Sequence, residues 1–309
     1  PARARDRPAD PTGAAVTAET DPATWPTGPQ PVRSEDFDYL RALLRDRTGI
    51  ALGDDKRYLV ETRLDPLLRE EGIESIAKLV RRLKRRPFGA LCERVLEALA
   101  THETWFFRDA HPFFETLQQH VLPRLNARRR SERRLRIWCG GCASGQEPYS
   151  VAMLIDRAFP AVAAWDLRIV ASDLSRRMLE RARRGRYSQL EVNRGLPARY
   201  LLEYFDRREH RWEIDEAIRT MVDFRRFNLV GDWPELPPMD IVFLRNVLIY
   251  FEREARTRLL KRVRKRMRPG GYLFLGAAET PLALDLDFFR RAHGGRRCYR
   301  LEEEEGSSP

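Results

Sequence analysis

The residues able to do chemistry gather where short apolar runs end. Leu135-Arg136-Ile137-Trp138-Cys139 leads into Gly140-Gly141-Cys142-Ala143-Ser144-Gly145-Gln146-Glu147-Pro148. Glycines directly after a strand let backbone approach a ligand closely, and Pro148 suits the first turn of a following helix. Glu147 narrows the ligand. A loop built for pyrophosphate at a helix N-terminus gains little from a carboxylate, whereas a ligand carrying ammonium and sulfonium groups is stabilised by one. The same acid also serves as a plain first-turn partner of the helix dipole.

A second run, Leu167-Arg168-Ile169-Val170-Ala171-Ser172, ends in Asp173. An acid there accepts hydrogen bonds from ribose hydroxyls, or caps the helix that starts near Ser175. Further run ends supply Asn228 and Leu229 after Phe227, and Arg245 and Asn246 after Leu244, with Tyr250 one helical turn on. An Arg-Asn pair behind Asp240-Ile241-Val242-Phe243-Leu244 is costly to bury without a purpose. Tyr250 alone is weaker, since an aromatic near a helix start is more often core. Cys139 and Cys142 form a C-x-x-C, but a structural zinc wants four ligands and neither a second C-x-x-C nor a paired histidine motif follows, so no metal is expected.

The elements that must position these groups alternate. Residues 135–139, 167–171, 222–227, 241–244 and 272–275 read as buried strands, and 148–159, 175–184 and 252–267 as the helices between them. Such alternation predicts an α/β fold with a mostly parallel sheet covered on both faces. The last run, 297–301, is expected to pair at an edge. Residues 186–221 interrupt the pattern with a helix-like Ala198–Tyr204 and a strand-like Trp212–Ile214, which reads as an insertion used for binding. Upstream, apolar stripes at Phe37/Leu40/Leu44, Val60/Leu64/Leu67/Leu68, Ile76/Leu79/Val80/Leu83 and Leu91/Val95/Leu99 predict a small all-α unit broken at Gly49, Gly72 and Pro87. A further helix after Ala110 carries Phe114, Leu117, Val121 and Leu125. Residues 1–32 read as a disordered leader and 303–309 as an acidic disordered tail.

The formal charge of +11 concentrates at Arg81 to Arg86, Arg128 to Arg134, Arg181 to Arg184 and Lys261 to Arg268, which predicts an acidic partner or solvated helix faces. Four cysteines do not make a disulfide framework, and no run nears the roughly 18 apolar residues of a membrane span, so a cytoplasmic protein without membrane insertion is expected.

The chain resembles the CheR family of chemoreceptor methyltransferases. The matching blocks are Thr101-His102-Glu103-Thr104-Trp105-Phe106-Phe107-Arg108-Asp109, Arg136 to Tyr149, Ala171 to Ser175, Phe227-Asn228-Leu229, Phe243 to Phe251 and Arg268 to Gly276, in family order. The resemblance implies a Rossmann-like S-adenosylmethionine-dependent methyltransferase domain over 111–302, a helical N-terminal domain over 33–110 and an inserted small antiparallel β-subdomain at about 186–221. It implies S-adenosylmethionine as cofactor, held by His102, Thr104, Arg108, Glu147, Asp173, Asn228, Leu229, Arg245 and Asn246, with Arg108 and Tyr250 nearest the transferred methyl. The family usually has Asn where this chain has His102, a larger group that can carry charge. The implied reaction is esterification of glutamate side chains on the cytoplasmic helices of chemoreceptors, giving glutamate 5-O-methyl esters in chemotaxis adaptation.

Lys56 and Arg63, seven residues apart on a basic helix, are expected to read the acidic receptor helix. The insertion looks short between Phe205 and Val222, like family members without a receptor tether, so direct docking by a monomer is expected. Two rival readings are a non-catalytic cofactor-binding signalling module and a nucleic-acid methyltransferase. The second lacks the Pro-Pro-aromatic or Pro-Cys motif such enzymes use, so no nucleic acid is expected.

Overall fold

The computed structural model describes residues 31–281, 289–292 and 298–302. Most of the expected leader and the whole expected tail therefore lie outside the described residues. Val32 already packs into the core and donates its backbone N–H to Glu61 Oε1 at 2.9 Å, so ordered packing begins inside the stretch read as leader.

The N-terminal stripes form α1 (Ser34–Thr48), α2 (Arg57–Glu70), α3 (Ile76–Arg85) and α4 (Ala90–Leu99). Phe37, Leu40, Leu44, Val60, Leu64, Leu79, Leu83 and Val95 meet in one apolar cluster, each fully or almost fully buried. α1 stops at Gly49, whose φ of +74° closes the helix and whose Cβ, were there one, would lie 2.7 Å from the Phe251 ring. The stripe after Ala110 is helical, but it opens with two π-helical turns, Ala110–Phe114 and Leu117–Val121, before α5 (Leu122–Arg128).

The remaining chain forms β1 (Arg134–Gly140), α6 (Gln146–Ala158), α7 (Pro160–Ala163), β2 (Asp166–Asp173), α8 (Arg176–Arg184), β3 (Arg186–Ser188), α9 (Gln189–Asn193), α10 (Ala198–Tyr204), β4 (Phe205–Arg208), β5 (Arg211–Ile214), α11 (Glu216–Thr220), β6 (Val222–Arg226), β7 (Met239–Leu244), α12 (Arg253–Arg264), β8 (Met267–Leu275), β9 (Phe289–Arg291) and β10 (Cys298–Leu301). Seven strands make one sheet in the order β6-β2-β1-β7-β8-β10-β9. The first five are parallel, and β10 runs antiparallel to both its neighbours. Parallel strands are covered on both faces, which is why their residues run apolar without alternation.

Chain order reverses between β1 and β7: β2 and β6 lie to one side, β8 to the other. A switch point of this kind opens a crevice beyond the carboxyl ends of the strands.

The expectation for the last strand needs correction. β10 is not an edge, because β9, unread in the sequence, pairs outside it. A three-residue strand carries too short an alternation to be seen. The helix expected to reach residue 267 ends at Arg264, and β8 begins three residues on at Met267, its Pro269-Gly270-Gly271 running inside the strand. The insertion is a separate three-stranded antiparallel sheet, β3-β5-β4, flanked by α9, α10 and α11, of which α10 and β5 were legible.

Candidate cofactor cleft

The crevice is a cleft partly open to solvent, and it collects the residues expected from the sequence: His102, Thr104, Arg108, Glu147, Asp173, Asn228, Leu229, Arg245, Asn246 and Tyr250 all line it. Its floor is the turn after β1. Gly141 takes φ +72°, and a Cβ there would lie 2.7 Å from Val247 Cγ2; Gly145 takes φ +92° at the start of α6. The amides of Gly141 and Cys142 donate to Ser172 O at 2.8 and 2.9 Å, so the turn wraps onto the end of β2. The Cys139 and Cys142 thiols are buried and pushed well above their ordinary range by that burial, so neither is poised as a nucleophile.

Asp173 ends β2 almost fully buried. Its Oδ2 accepts the Ala143 N–H at 2.8 Å and its Oδ1 the Ser175 N–H at 2.9 Å. It therefore knits the glycine turn to the start of α8, and each oxygen keeps lone-pair capacity for a ligand hydroxyl. Burial raises its pKa, opposed chiefly by His102, whose Nδ1 stands 4.0 Å from Oδ1.

A carboxylate receives ribose hydroxyls as the anion, so with Asp173 in that role cofactor affinity is expected to be full above the raised pKa and to fall as pH drops through it, sooner than a water-exposed carboxylate at about 4 would dictate. Stability of the ligand-free fold moves the other way: protonation removes a buried charge, so this residue's contribution improves over the same descent, until the unfolded carboxyl also protonates. Calorimetric titration of S-adenosylhomocysteine across pH 4 to 8 checks the first expectation; a flat profile would contradict it.

His102 Nε2 lies 2.9 Å from Glu97 O. A carbonyl only accepts, so Nε2 carries a proton, and Nδ1 is the ring atom that faces Asp173. Glu97 itself went unnoticed in the sequence. Its carboxylate accepts the Arg176 N–H at 3.0 Å and the Ser175 hydroxyl at 3.2 Å, holding the start of α8 against α4.

Arg245 is the most committed residue in the cleft. Its side chain is 1% exposed; Nη1 donates to Glu147 Oε2 at 2.8 Å, and Nη2 to Asp109 Oδ2 and Arg108 O, both at 2.7 Å. The guanidinium also lies 3.6 Å from the centroid of the Phe113 ring. The resemblance placed Arg245 among the cofactor's contacts; it lines the cleft, but its donors are mostly spent on the protein. Glu147 keeps Oε1 for a ligand, and burial raises its pKa against the pull of Arg245.

Arg245 thereby holds the 101–109 segment, where Phe107 (φ +46°) and Asp109 (φ +56°) adopt left-handed backbone on either side of Arg108. The Arg108 guanidinium sits 4.0 Å from the Trp105 ring centroid and donates to Glu103 O at 3.3 Å. Among the described residues its Nε has no partner although buried.

Asn246 adopts φ +58°, and its Oδ1 is likewise buried without a partner among the described residues. Its backbone is fixed by Glu279, a buried acid that sequence reading missed, which accepts the amides of Asn246 (2.8 Å), Ile249 (3.1 Å) and Gly276 (2.6 Å). Asn228 Nδ2 donates to Arg47 O at 2.5 Å, and Ala51 N–H to Tyr250 O at 2.7 Å, so the helical unit forms one wall of the cleft.

Of the two residues expected to read a receptor, only Arg63 lies within α2. Lys56 lies in the 3-10 turn Asp54–Lys56 that precedes α2 and pairs with Asp55 at 2.8 Å. Arg63 is on α2 and donates to Leu99 O at 2.5 Å and Thr101 Oγ1 at 3.0 Å. The spacing argument fails because α2 begins only at Arg57.

This donor set fits S-adenosylmethionine. Buried carboxylates at Asp173 and Glu147 suit ribose hydroxyls and a cationic ligand, and the orphaned Asn246 Oδ1 awaits a donor. A doubly wound sheet with this glycine turn and this acid defines the class of S-adenosylmethionine-dependent methyltransferases. Residues 102–290 match the family profile described as "CheR methyltransferase, SAM binding domain" and residues 35–100 that described as "CheR methyltransferase, all-alpha domain". The chain belongs to the CheR methyltransferase family.

Among its relatives, "Chemotaxis protein methyltransferase Cher2" of Pseudomonas putida is 44% identical over 249 residues, 79% of this chain and 90% of that protein. "Chemotaxis protein methyltransferase 1" of Pseudomonas aeruginosa is 45% identical over 250 residues, with the same two shares. "Chemotaxis protein methyltransferase 2" of Vibrio cholerae is 31% identical over 284 residues, 90% of this chain and 98% of that one. Among the described residues no helix is long and apolar enough to cross a membrane.

Proposed function

We propose that this chain is a protein-glutamate O-methyltransferase, acting in the cytoplasm on the helices of chemoreceptors and leaving glutamate 5-O-methyl esters and S-adenosylhomocysteine. One observation carries the reading beyond the family's methyl chemistry: the acids lining the cleft are all engaged. Glu147 is held by Arg245, Asp173 by two backbone amides and Glu103 by Arg194 at 2.7 Å. His102 donates its Nε2 proton to Glu97 O and turns Nδ1 to the Asp173 carboxylate, 4.0 Å from Oδ1. A hydroxyl or ammonium acceptor would need a free base here. A glutamate carboxylate, with a pKa of about 4.3, is already the nucleophile at neutral pH.

The bound cofactor supplies a methyl on a sulfonium, and the protein's task is positioning. Arg108, stacked on Trp105 with Nε unpartnered, has donors left to orient the incoming carboxylate, and Tyr250 also lines the cleft. Fixing the attacking oxygen in line and stripping its water is worth several kcal/mol of barrier. A fully neutralising ion pair would blunt the nucleophile, and the packing of Arg108 on an aromatic face limits it to a guiding role.

The test uses methyl-labelled S-adenosylmethionine and a soluble cytoplasmic receptor fragment. Label should be released as methanol by mild base. Tyr250→Phe should lower kcat by about 10- to 100-fold while leaving affinity for S-adenosylhomocysteine near wild type. Label stable to mild base, or found on nucleic acid, would overturn the assignment.

A further inference from the structure

Most cations of the helical unit are spent. Arg41 pairs with Asp38 and Asp54, Arg69 with Asp65, Lys78 with Glu74, and Arg94 with Glu70 and Glu71. The C-terminal half of α3 breaks this habit. Arg81, Arg82, Lys84, Arg85 and Arg86 are all exposed, and among the described residues none of them is paired with a carboxylate. The charge run that the fold did not absorb is thus one continuous, uncompensated face.

Beside it, in the link to α4, Phe88 is 71% exposed, an unusual position for a large aromatic. Arg82, Arg85, Arg86 and Phe88 line a shallow groove there.

Two features say what kind of partner fits. The apolar stripe of α3, Ile76, Leu79, Val80 and Leu83, is wholly used in the domain core. The helix therefore has no apolar face to lay into a bilayer, and Phe88 alone would give weak insertion. Arg81 and Arg85 stand one helical turn apart, the interval at which an acidic helix presents successive carboxylates, and Arg82 flanks them. The face also connects to the cleft. Arg47 lies 4.0 Å from the Phe88 ring centroid and donates to Pro87 O, while its own carbonyl receives Asn228 from the cleft wall. A protein whose carboxylate enters the cleft can continue across this surface.

We infer that the exposed arginines at the end of α3, together with Phe88, form a docking surface for an acidic helix of the methyl-accepting protein. The inference rests on the protein-glutamate reading above. It assigns binding to this face and leaves the chemistry to the cleft.

The test compares wild type with the triple variant Arg82→Glu/Arg85→Glu/Arg86→Glu and with Phe88→Ser, using a soluble cytoplasmic chemoreceptor fragment. Binding of S-adenosylhomocysteine by calorimetry should match wild type in both, which shows the fold and cofactor site intact. KM for the fragment should rise about tenfold or more in the triple variant with kcat retained at saturation, and wild-type KM should climb with added salt toward the variant's. An unchanged KM in the triple variant overturns the docking surface. So does loss of sedimentation with phosphatidylglycerol vesicles in the triple variant when KM for the fragment is unmoved, since the face would then serve a membrane. A wild-type protein that binds S-adenosylhomocysteine yet esterifies no receptor fragment sinks the substrate reading itself, a result distinct from either.

Discussion

Asp173→Ala is expected to weaken binding of S-adenosylhomocysteine by about 100-fold. Two hydrogen bonds from ribose hydroxyls to a carboxylate are worth about 1.5 kcal/mol each at the low end, and each 1.4 kcal/mol is about a factor of ten. The loss does not stop at the ligand. The Ala143 and Ser175 amides now donate to this carboxylate at 2.8 and 2.9 Å, and alanine leaves both without an acceptor, loosening the glycine turn that the ligand must meet. Asp173→Asn should do only slightly better, because one of the two amides would face an NH₂ group. Calorimetry on both variants, alongside thermal unfolding of the ligand-free proteins, separates lost contacts from a collapsed turn. Affinity within twofold of wild type in a folded alanine variant would mean the ligand sits elsewhere.

The second large effect concerns stability. Arg245→Met should cost about 3–5 kcal/mol, because it leaves the Glu147 carboxylate buried without its cation and strips the donors from Asp109 and Arg108 O. For a chain of this size that is a fall in Tm on the order of 10 °C. Activity should fall as well, since Phe107 and Asp109 are held in left-handed backbone on either side of Arg108 and relax once the clamp is gone. Adding Glu147→Gln to Arg245→Met should recover part of the stability, because the orphaned charge is then absent. A single variant that unfolds at the wild-type temperature would remove the clamp from the account.

These two residues mark what could be read in advance and what could not. Asp173 was legible because its meaning is local: an apolar run, an acid at its end and a cap position two residues on. The glycine turn, the helical stripes and the central strands were legible for the same reason. Arg245 was visible as a charge behind a buried strand, but its partners, Glu147 and Asp109, stand 98 and 136 positions away. No spacing rule reaches that far. Glu97 and Glu279 were missed because each looks like an ordinary helix or loop acid until the fold brings backbone amides to it. The spacing argument for Lys56 and Arg63 took one helix to run through both, whereas Lys56 is the N-cap of α2 and only Arg63 lies within it. β9 was missed because three residues carry no usable period.

The lacing of the α-helical wall to the nucleoside crevice has a thermodynamic consequence. Ile50 pairs with Phe251 as an isolated β-bridge, Ala51 donates to Tyr250 O, and Thr48 and Ile50 face the same space as the glycine turn. Any opening that swings the two halves apart dismantles the pocket. A ligand that binds only the closed arrangement must act as a rivet between them, so occupancy and cohesion rise together by mass action. In a cell, the supply of methyl donor would then set how long this polypeptide survives proteolysis as well as how fast it turns over.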